Sequence, residues 1–250
     1  MVRLSVNVNK VATLRNARGG RIPSVLDAVG TTVAAGAPGI TVHPRSDGRH
    51  ITFADVRAIA GSLRTLPSYV EFNIEGDPRP DLLDLVEEVR PDQCTLVPVT
   101  PGEVTSQGGW GRGQEHDLVP TAIARLKACG IRVSLFINPE LAAVEWAAAT
   151  GADRVELYTE PFARAFEAGP EEARRSFLRY ADSARWANTL GLGVNAGHDL
   201  DLDNLVLFRE LPFLAEVSIG HALVSRALFV GLAVVVREYL EVLGSPQTSA

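Results

Sequence analysis

Short apolar runs alternate with longer stretches of helical periodicity along the whole chain. The runs are rich in Val, Ile and Leu, and several stop abruptly at His, Glu or Asn. Short apolar runs of this kind, separated by helical patterns, indicate buried strands of a parallel sheet. The predicted strands cover residues 4–8, 39–42, 69–73, 93–97, 132–137, 154–158, 193–195 and 216–219. The predicted helices cover residues 24–35, 53–63, 80–89, 118–128, 139–150, 171–190, 204–210 and 222–243.

Eight strand-then-helix units without a linker predict one α/β domain, a (β/α)8 TIM barrel over residues 1–243 of the 250. A doubly wound open sheet is the alternative. Two segments break the rhythm. The glycine-rich stretch 100–117 is long for a strand-to-helix loop and predicts a lid over the barrel mouth. Residues 244–250 predict a flexible C-terminal tail.

Composition narrows the class of protein. A hydrophobic fraction of 46% and a charged fraction of 22% are typical of a soluble globular chain, and the net charge of −6 disfavours nonspecific nucleic-acid binding. No uncharged apolar run approaches the ~20 residues that cross a membrane. Cys94 and Cys129 are too few for a disulfide framework and indicate reduced thiols. We therefore expect a cytoplasmic protein with no nucleic-acid or membrane partner.

Polar or titratable side chains end five of the eight predicted strands. In a parallel barrel the carboxyl ends of all strands face one mouth, so residues far apart in sequence would meet there. The pattern therefore predicts a single site assembled by folding. The segments at these ends contain Asn7, Asn9, His43, Glu71, Asn73, Asn195, His198 and His221.

Histidine and glutamate at strand ends suit proton transfer. His43, followed by Arg45 and His50, is a candidate acid–base group beside an anion-binding arginine. The alternative is a core histidine with a surface arginine. Glu71 shares a strand face with Asn73, and burial inside the barrel would make it a usable acid or base, unless a buried arginine pairs with it. Glu156 has the same pattern, as a structural carboxylate or a group that orients a catalytic residue.

Glycine and basic residues predict phosphate binding. Gly220-His221 ends the eighth strand and opens the last helix, where barrels commonly bind phosphate through backbone N–H groups, and His198 lies beside it as a candidate proton donor. Asn7, Asn9, Lys10 and Arg18 make the first loop dense in donors, although a solvated loop is the alternative. No His-x-His or His-x-x-x-His spacing occurs, so a metal site is not expected.

Several motifs together resemble the pyridoxine 5′-phosphate synthase family, the barrel enzymes that close the pyridine ring in one bacterial route to vitamin B6. The matching stretches occur in family order and span almost the whole chain. They include Asn7-Val8-Asn9, residues 11–19, His43-Pro44-Arg45, residues 49–52, Glu71, residues 103–105, Asn195-Ala196-Gly197-His198 and Gly220-His221. The resemblance implies a condensation of 3-amino-2-oxopropyl phosphate with 1-deoxy-D-xylulose 5-phosphate. The products are pyridoxine 5′-phosphate, phosphate and water, and no metal or organic cofactor takes part.

The resemblance also implies residue roles. It assigns His43 and Glu71 as bases and His198 as the proton donor. The substrate-binding positions that it implies are Asn7, Asn9, Lys10, Arg18, Arg45, His50, Thr105, Asp199, Gly220 and His221. The partners implied are small phosphorylated substrates and further copies of the chain, in a homo-octamer built as a tetramer of dimers.

Three positions depart from the family pattern. Asn9-Lys10 stands where an Asp-His pair is expected, Asp199 stands where glycine is common, and Glu160 replaces an expected glycine. These changes leave two alternatives open. One is a diverged barrel enzyme, such as a lyase, acting on another phosphorylated ketose. The other is a non-catalytic sensor of a phosphorylated ligand, against which the retained acid–base residues argue.

Overall fold

The computed structural model describes residues 1–66, 68–99, 108–111 and 118–244. The strands in this part of the chain are β1 (Arg3–Asn7), β2 (Gly39–Val42), β3 (Glu71–Gly76), β4 (Gln93–Leu96), β5 (Arg132–Ile137), β6 (Arg154–Tyr158), β7 (Gly193–Gly197) and β8 (Leu214–Ile219). Each strand pairs in parallel with the next, and β8 pairs with β1 to close the barrel. The predicted (β/α)8 barrel is therefore confirmed.

Helices surround the barrel and follow its strands. Within the described residues they are α1 (Asn9–Asn16), α2 (Val25–Ala34), α3 (Phe53–Arg64), α4 (Pro80–Val89), α5 (Leu118–Ala128), α6 (Leu141–Ala149), α7 (Glu160–Ala168), α8 (Pro170–Thr189), α9 (Leu205–Phe208), α10 (His221–Val230) and α11 (Leu232–Gly244). Two of them, α1 and α7, were not expected from the sequence pattern. The single last helix predicted over residues 222–243 is wrong, because Gly231, with a φ of +91°, separates α10 from α11. None of these helices combines the length and apolarity that a membrane span requires.

The predicted lid and tail lie largely outside the described residues. Of the lid segment 100–117, only 108–111 are described, and Trp110 among them is buried at the barrel rim. Its backbone N–H donates to Phe136 O at 2.8 Å, and its indole N–H donates to Leu96 O at 3.0 Å. The predicted tail beyond Gly244 also lies outside the described residues.

Side-chain capping fixes the helix that follows β2. Thr52 Oγ1 accepts from the backbone N–H of Asp55, and the Asp55 carboxylate accepts from Thr52 N at 2.8 Å. This reciprocal pair satisfies two of the donors left open at a helix start. Arg15 of α1 then pairs with the Asp55 carboxylate at 2.5 and 2.9 Å. The first turn of α3 is thus tied to α1, and the loop between β2 and α3 is held at both ends.

The barrel interior is polar where the outer face is apolar. Ser5, Thr41, Asn73 and Thr95, on four successive strands, are buried and hydrogen-bond one another at 2.7 to 3.3 Å. The residues between them along the strands, such as Leu4, Ile40 and Ile74, are completely buried in the main hydrophobic cluster. Period-2 alternation therefore packs the helices against one face and leaves hydrogen-bonding groups inside.

The structure corrects the prediction for Glu71. This residue begins β3, opposite Gly39 at the start of β2, and so lies at the amino end of the barrel, away from the mouth. Its carboxylate pairs with Arg3 at 2.7 Å and with Arg132. The predicted strand began and ended too early, which moved Glu71 toward the wrong end. The structure confirms the alternative interpretation, in which Glu71 is a buried carboxylate paired with arginines.

We expect Glu71→Gln to destabilise the fold. The change leaves Arg3 and Arg132 side by side without the anion between them, and both arginines keep about a third of their surface exposed. Partial exposure weakens the effect of a lost buried partner, so the free energy of unfolding should fall by about 1–3 kcal/mol. Urea unfolding measures it. Glu88→Gln, which breaks an exposed pair with Arg57, is the matched control and should leave the midpoint unchanged. Equal midpoints for Glu71→Gln and wild type would contradict this role.

Candidate active site

A cavity of about 400 Å³ opens at the carboxyl ends of the strands. Ten of the thirteen predicted site residues line it, which places most of the predicted site at one mouth. They are Asn7, Asn9, Lys10, His43, Arg45, His50, His198, Asp199, Gly220 and His221. Glu71 lies at the other end, Arg18 lies outside the lining in the loop between α1 and α2, and Thr105 falls outside the described residues.

Asparagines at the end of β1 connect two strands of the cavity wall. Asn7 Oδ1 accepts from the backbone N–H of Asn9 at 3.0 Å, and Asn9 Oδ1 accepts from the backbone N–H of His43 at 2.9 Å. Asn7 Nδ2 donates to the Glu75 carboxylate at 3.4 Å. Asn9 therefore acts through its amide oxygen as a support for His43, a role that an amide fills as well as a carboxylate.

The central titratable pair is His43 with Glu75. Glu75 Oε2 lies 3.8 Å from His43 Nδ1, and both side chains are almost fully buried. Burial raises the pKa of Glu75 to about 8. Burial lowers the pKa of His43 well below its ordinary value, and the electrostatic effects of His50, Arg45, Arg79 and His198 add to the shift. At neutral pH the imidazole is therefore neutral, and a proton resides on the carboxyl group. Such a pair can both accept and release protons.

Sequence reasoning missed Glu75. Alternation along β3 puts Glu71, Asn73 and Glu75 on one face, so extending the strand by two residues would have reached it. The signal was present in Gly76-Asp77-Pro78, a cluster of turn residues that marks the strand end after Glu75. Glu75 thus takes the place at the mouth that the sequence pattern had given to Glu71.

Glu156 is a second buried carboxyl group in the cavity wall. Burial and the nearby carboxyl groups of Glu75 and Glu216 raise its pKa well above the ordinary value, against a hydrogen bond with Thr95 that lowers it. A Cβ on Gly197 would lie 2.3 Å from Glu156 Oε1, so the neighbouring strand must carry glycine there. Glu156 therefore lies in the cavity lining together with His43 and Glu75.

Arginines and a neutral histidine form one wall suited to an anion. Arg45 is buried. Arg49 pairs with Asp47 at 2.6 Å, and this contact lowers the pKa of Asp47 to about 2 although burial acts in the opposite direction. Burial, and then Arg45, lowers the pKa of His50 to about 4. Its Nδ1 accepts from the backbone N–H of Ile51 at 2.9 Å, so the neutral ring carries its proton on Nε2 and can donate it.

The opposite wall is the start of α10. Gly220 precedes the helix, and a Cβ there would lie 3.1 Å from Asn7 Cβ and 3.2 Å from Asn7 O. Glycine therefore permits the close approach of β8 to β1. The first residues of a ten-residue helix, His221 and Ala222, line the cavity with Gly220. Unpaired N–H groups and the helix dipole favour an anion at such a position.

Arg79 holds the loop that carries His43 and Arg45. Its guanidinium donates to Pro44 O at 2.7 Å, pairs with Asp77, and lies 5.9 Å from the centre of the Phe53 ring. The loop after β3 is thereby tied to the loop after β2. Arg79 was not predicted as a site residue, because its position in sequence gives no sign of this contact.

The comparison with protein families decides the relationship. The model of the family described as pyridoxal phosphate biosynthesis protein PdxJ matches residues 4–245. The chain belongs to this family. The resemblance drawn from the sequence motifs is therefore confirmed.

Individual family members are similar over nearly their full length. A pyridoxine 5′-phosphate synthase of Christiangramia forsetii is 51% identical over 244 residues, 97% of this chain and 100% of that protein. One of Porphyromonas gingivalis is 49% identical over 240 residues, 96% of this chain and 98% of that protein. Among solved structures, phosphoribosyl anthranilate isomerase from Thermus thermophilus superposes with a TM-score of 0.60 at 16% identity, covering 97% of this chain and 98% of that one. That likeness shows the fold alone.

In residues 1–66, 68–99, 108–111 and 118–244, no three or more His, Cys, Asp or Glu side chains are grouped so that they could hold a metal ion. The cavity instead combines two regions suited to anions with the His43–Glu75 pair between them. The arrangement can bind a phosphorylated molecule at either wall and move protons in the middle.

We expect Glu75→Gln to become more stable relative to wild type as pH rises. The unfolded carboxyl group ionises near its ordinary value of 4.5, whereas the folded one keeps its proton until about pH 8. Between these values the unfolded state binds fewer protons, so the wild-type free energy of unfolding falls with pH, and the amide removes that loss. Urea unfolding at pH 5.5 and pH 8 should give a difference that grows by a few kcal/mol. Glu87→Gln, which removes a half-buried carboxylate paired with Arg125 outside the cavity, should give no such growth. A difference independent of pH would mean that Glu75 is ionised in the folded protein.

Proposed function

We propose that this chain is a pyridoxine 5′-phosphate synthase. It would condense 3-amino-2-oxopropyl phosphate with 1-deoxy-D-xylulose 5-phosphate and release pyridoxine 5′-phosphate, phosphate and water. The observation that carries the proposal is one cavity in which His43, Glu75 and His198 lie between two anion-binding walls. The near 50% identity to proteins with this name supports it.

The chemistry requires several proton transfers at one place. An amine adds to a ketone and water leaves to give an imine, and phosphate is eliminated. A carbon nucleophile then adds to the second carbonyl group to close the ring, with loss of a second water. Neutral His43 takes protons in the addition and enolisation steps, and Glu75 exchanges protons with it across 3.8 Å. His198 returns a proton to the leaving oxygen. A neutral imidazole that can accept a proton, beside a carboxyl group that holds one, suits both directions of transfer.

The two walls divide the phosphorylated substrates between them. Arg45, His50 and Lys10 line the side that would hold the pentulose phosphate, with Asn9 behind them. Asn7 would hold the amino-ketone, whose phosphate would meet the backbone N–H groups at Gly220, His221 and Asp199. Arg18 and Thr105 remain expectations from the family resemblance, and no contact with the described cavity supports them.

The proposal involves no metal or organic cofactor. The amine and the two carbonyl groups supply the nucleophile and electrophiles themselves, so the protein needs to supply only orientation and protons. Neither alternative function is favoured by a particular contact. A sensor would gain nothing from a carboxyl group of raised pKa beside a neutral imidazole, which is instead typical of catalytic sites.

We also propose self-association and a cytoplasmic location. A homo-octamer built as a tetramer of dimers is implied by the family resemblance, and exposed apolar side chains on α10 support contact between copies. They are Leu228, Phe229 and Val230, exposed by 68%, 89% and 41%. The unpaired thiols of Cys94 and Cys129 are in keeping with a reducing compartment.

Mixing the protein with 1-deoxy-D-xylulose 5-phosphate and freshly generated 3-amino-2-oxopropyl phosphate tests the activity. Mass spectrometry should detect pyridoxine 5′-phosphate with wild type. His43→Ala and Glu75→Gln should lower turnover by about 100-fold or more, since each removes a proton-transfer group. Glu71→Gln is the matched control, a glutamate of the same strand at the other barrel end, and should keep turnover within a few-fold of wild type.

Binding separates the alternatives if no product forms. Calorimetry with 1-deoxy-D-xylulose 5-phosphate should detect binding by wild type and by Glu75→Gln. Folded wild-type protein that binds this ketose without making product would overturn the synthase proposal and favour the diverged enzyme or the sensor. Turnover lost in Glu71→Gln but kept in Glu75→Gln would overturn the proton-transfer role proposed for Glu75.

A further inference from the structure

His198 stands in a backbone segment of unusual conformation. His198 and Asp199 have φ of +86° and +53°, in the left-handed region that non-glycine residues seldom adopt. The surrounding contacts fix the segment. Thr159 Oγ1 lies within hydrogen-bond distance of two carbonyl oxygens, Gly197 O at 2.6 Å and His198 O, and can donate to either. Asn204 Nδ2 donates to Asp199 O at 3.0 Å. Strained conformations that the neighbourhood enforces are typical of functional positions.

The imidazole of His198 is held by aromatic rings. The ring of Phe136 lies 5.7 Å from it and that of Tyr158 lies 5.5 Å from it, centre to centre. Tyr158 is itself buried, and its carbonyl accepts from the buried Tyr180 hydroxyl at 2.6 Å. These two packed rings restrict the tilt of the imidazole. The protonation of its two nitrogens is then decided by a polar partner.

Asp199 supplies that partner. Its Oδ2 lies 3.6 Å from His198 Nδ1, within electrostatic contact and just beyond hydrogen-bond length. Contact with His198, against partial burial, lowers the pKa of Asp199, and His221 and Arg164 add to the effect. The carboxylate is therefore ionised while it lies in the cavity lining. Catalytic hydrogen bonds are often this long in unliganded sites and shorten when substrate binds.

We infer that Asp199 is the positioning residue of His198, selecting the tautomer that carries a proton on Nδ1 toward the carboxylate and directing Nε2 to the cavity. The inference rests on the proposed role of His198 as proton donor. A carboxylate that accepts from Nδ1–H fixes the tautomer and leaves the Nε2 lone pair on the cavity side, where it can take up a proton in one step and return it in a later one. The aspartate at this position, noted above as a departure from the usual glycine, thereby acquires a function.

A second reading of the same carboxylate is contact with substrate. An ionised group in the cavity lining could bind the ammonium group of the amino-ketone directly. The two roles differ in what they change. A positioning role lowers kcat and leaves KM, whereas direct contact raises KM for the amino-ketone.

The kinetic test uses three substitutions at position 199 in the full-length protein. Asp199→Asn keeps the shape and removes the charge, Asp199→Gly removes the side chain and relieves the positive φ, and Asp199→Glu restores a carboxylate. We expect kcat to fall by about 10- to 100-fold in the first two, with KM for both substrates within about two-fold of wild type and partial recovery in the third. Asp203→Asn, an exposed aspartate of the same loop, is the control and should match wild type.

Nitrogen-15 NMR of labelled histidine gives the readout that a merely structural role would not move. His198, assigned by loss of its signals in His198→Gln, should carry its proton on Nδ1 in wild type and show mixed tautomers in Asp199→Asn and Asp199→Gly. Full kcat in Asp199→Gly, an unchanged tautomer, or a rise in KM for the amino-ketone alone would overturn the inference. The NMR measurement is independent of turnover. Absence of synthase activity with the expected tautomer would therefore overturn the proposed function and leave the pairing of Asp199 with His198 standing.

Discussion

Carboxyl groups buried inside a barrel must either be paired with a cation or hold a proton, and this requirement divides the molecule into two ends. At the amino end, Arg3 and Arg132 contact Glu71, and Arg3 also contacts Glu216 at 3.3 Å. Even there, burial and the charge of Glu71 raise the pKa of Glu216 to about 7. At the carboxyl end, the described contacts of Glu75 are with Asn7 and His43 and include no arginine. One end is thereby suited to stability and the other to proton transfer.

The cations that the mouth does contain act on histidines and on ligands. Arg45 and Arg79 help to keep His43 neutral, and Arg45 helps to keep His50 neutral. A neutral imidazole can accept a proton in the middle of the cavity while the guanidinium groups beside it attract phosphate. Binding an anion would offset the positive charge near His43, so occupation of the phosphate wall and basicity of the imidazole are coupled through the same arginine.

The sequence predicted the barrel because its signals are local and repeated. Alternating apolar runs and helical stretches recur eight times, and each recurrence supports the others. The same rule of alternation assigned Glu71 to the correct face of the sheet but to the wrong end of the barrel. The face depends only on whether a residue is an odd or even number of positions along the strand, whereas its position along the barrel depends on where the strand begins and ends. Lys10 and Asp199 were recognised as departures from the family pattern. The contact between Asp199 and His198 could not be predicted, because it depends on left-handed backbone angles at two residues that are not glycine. Arg79 depends on a contact between loops that are 35 residues apart.

The close approach of Gly220 to Asn7 determines when the cavity can form during synthesis of the chain. The cavity draws one wall from the first strand and another from the last, so it exists only after β8 has closed against β1. Chains are made from the amino end and fold progressively as they emerge. A nascent chain that already carries His43 and Glu75 still lacks the wall at residues 220–222. Reactive carbonyl compounds therefore meet a cavity with both of its phosphate-binding walls only on a finished molecule.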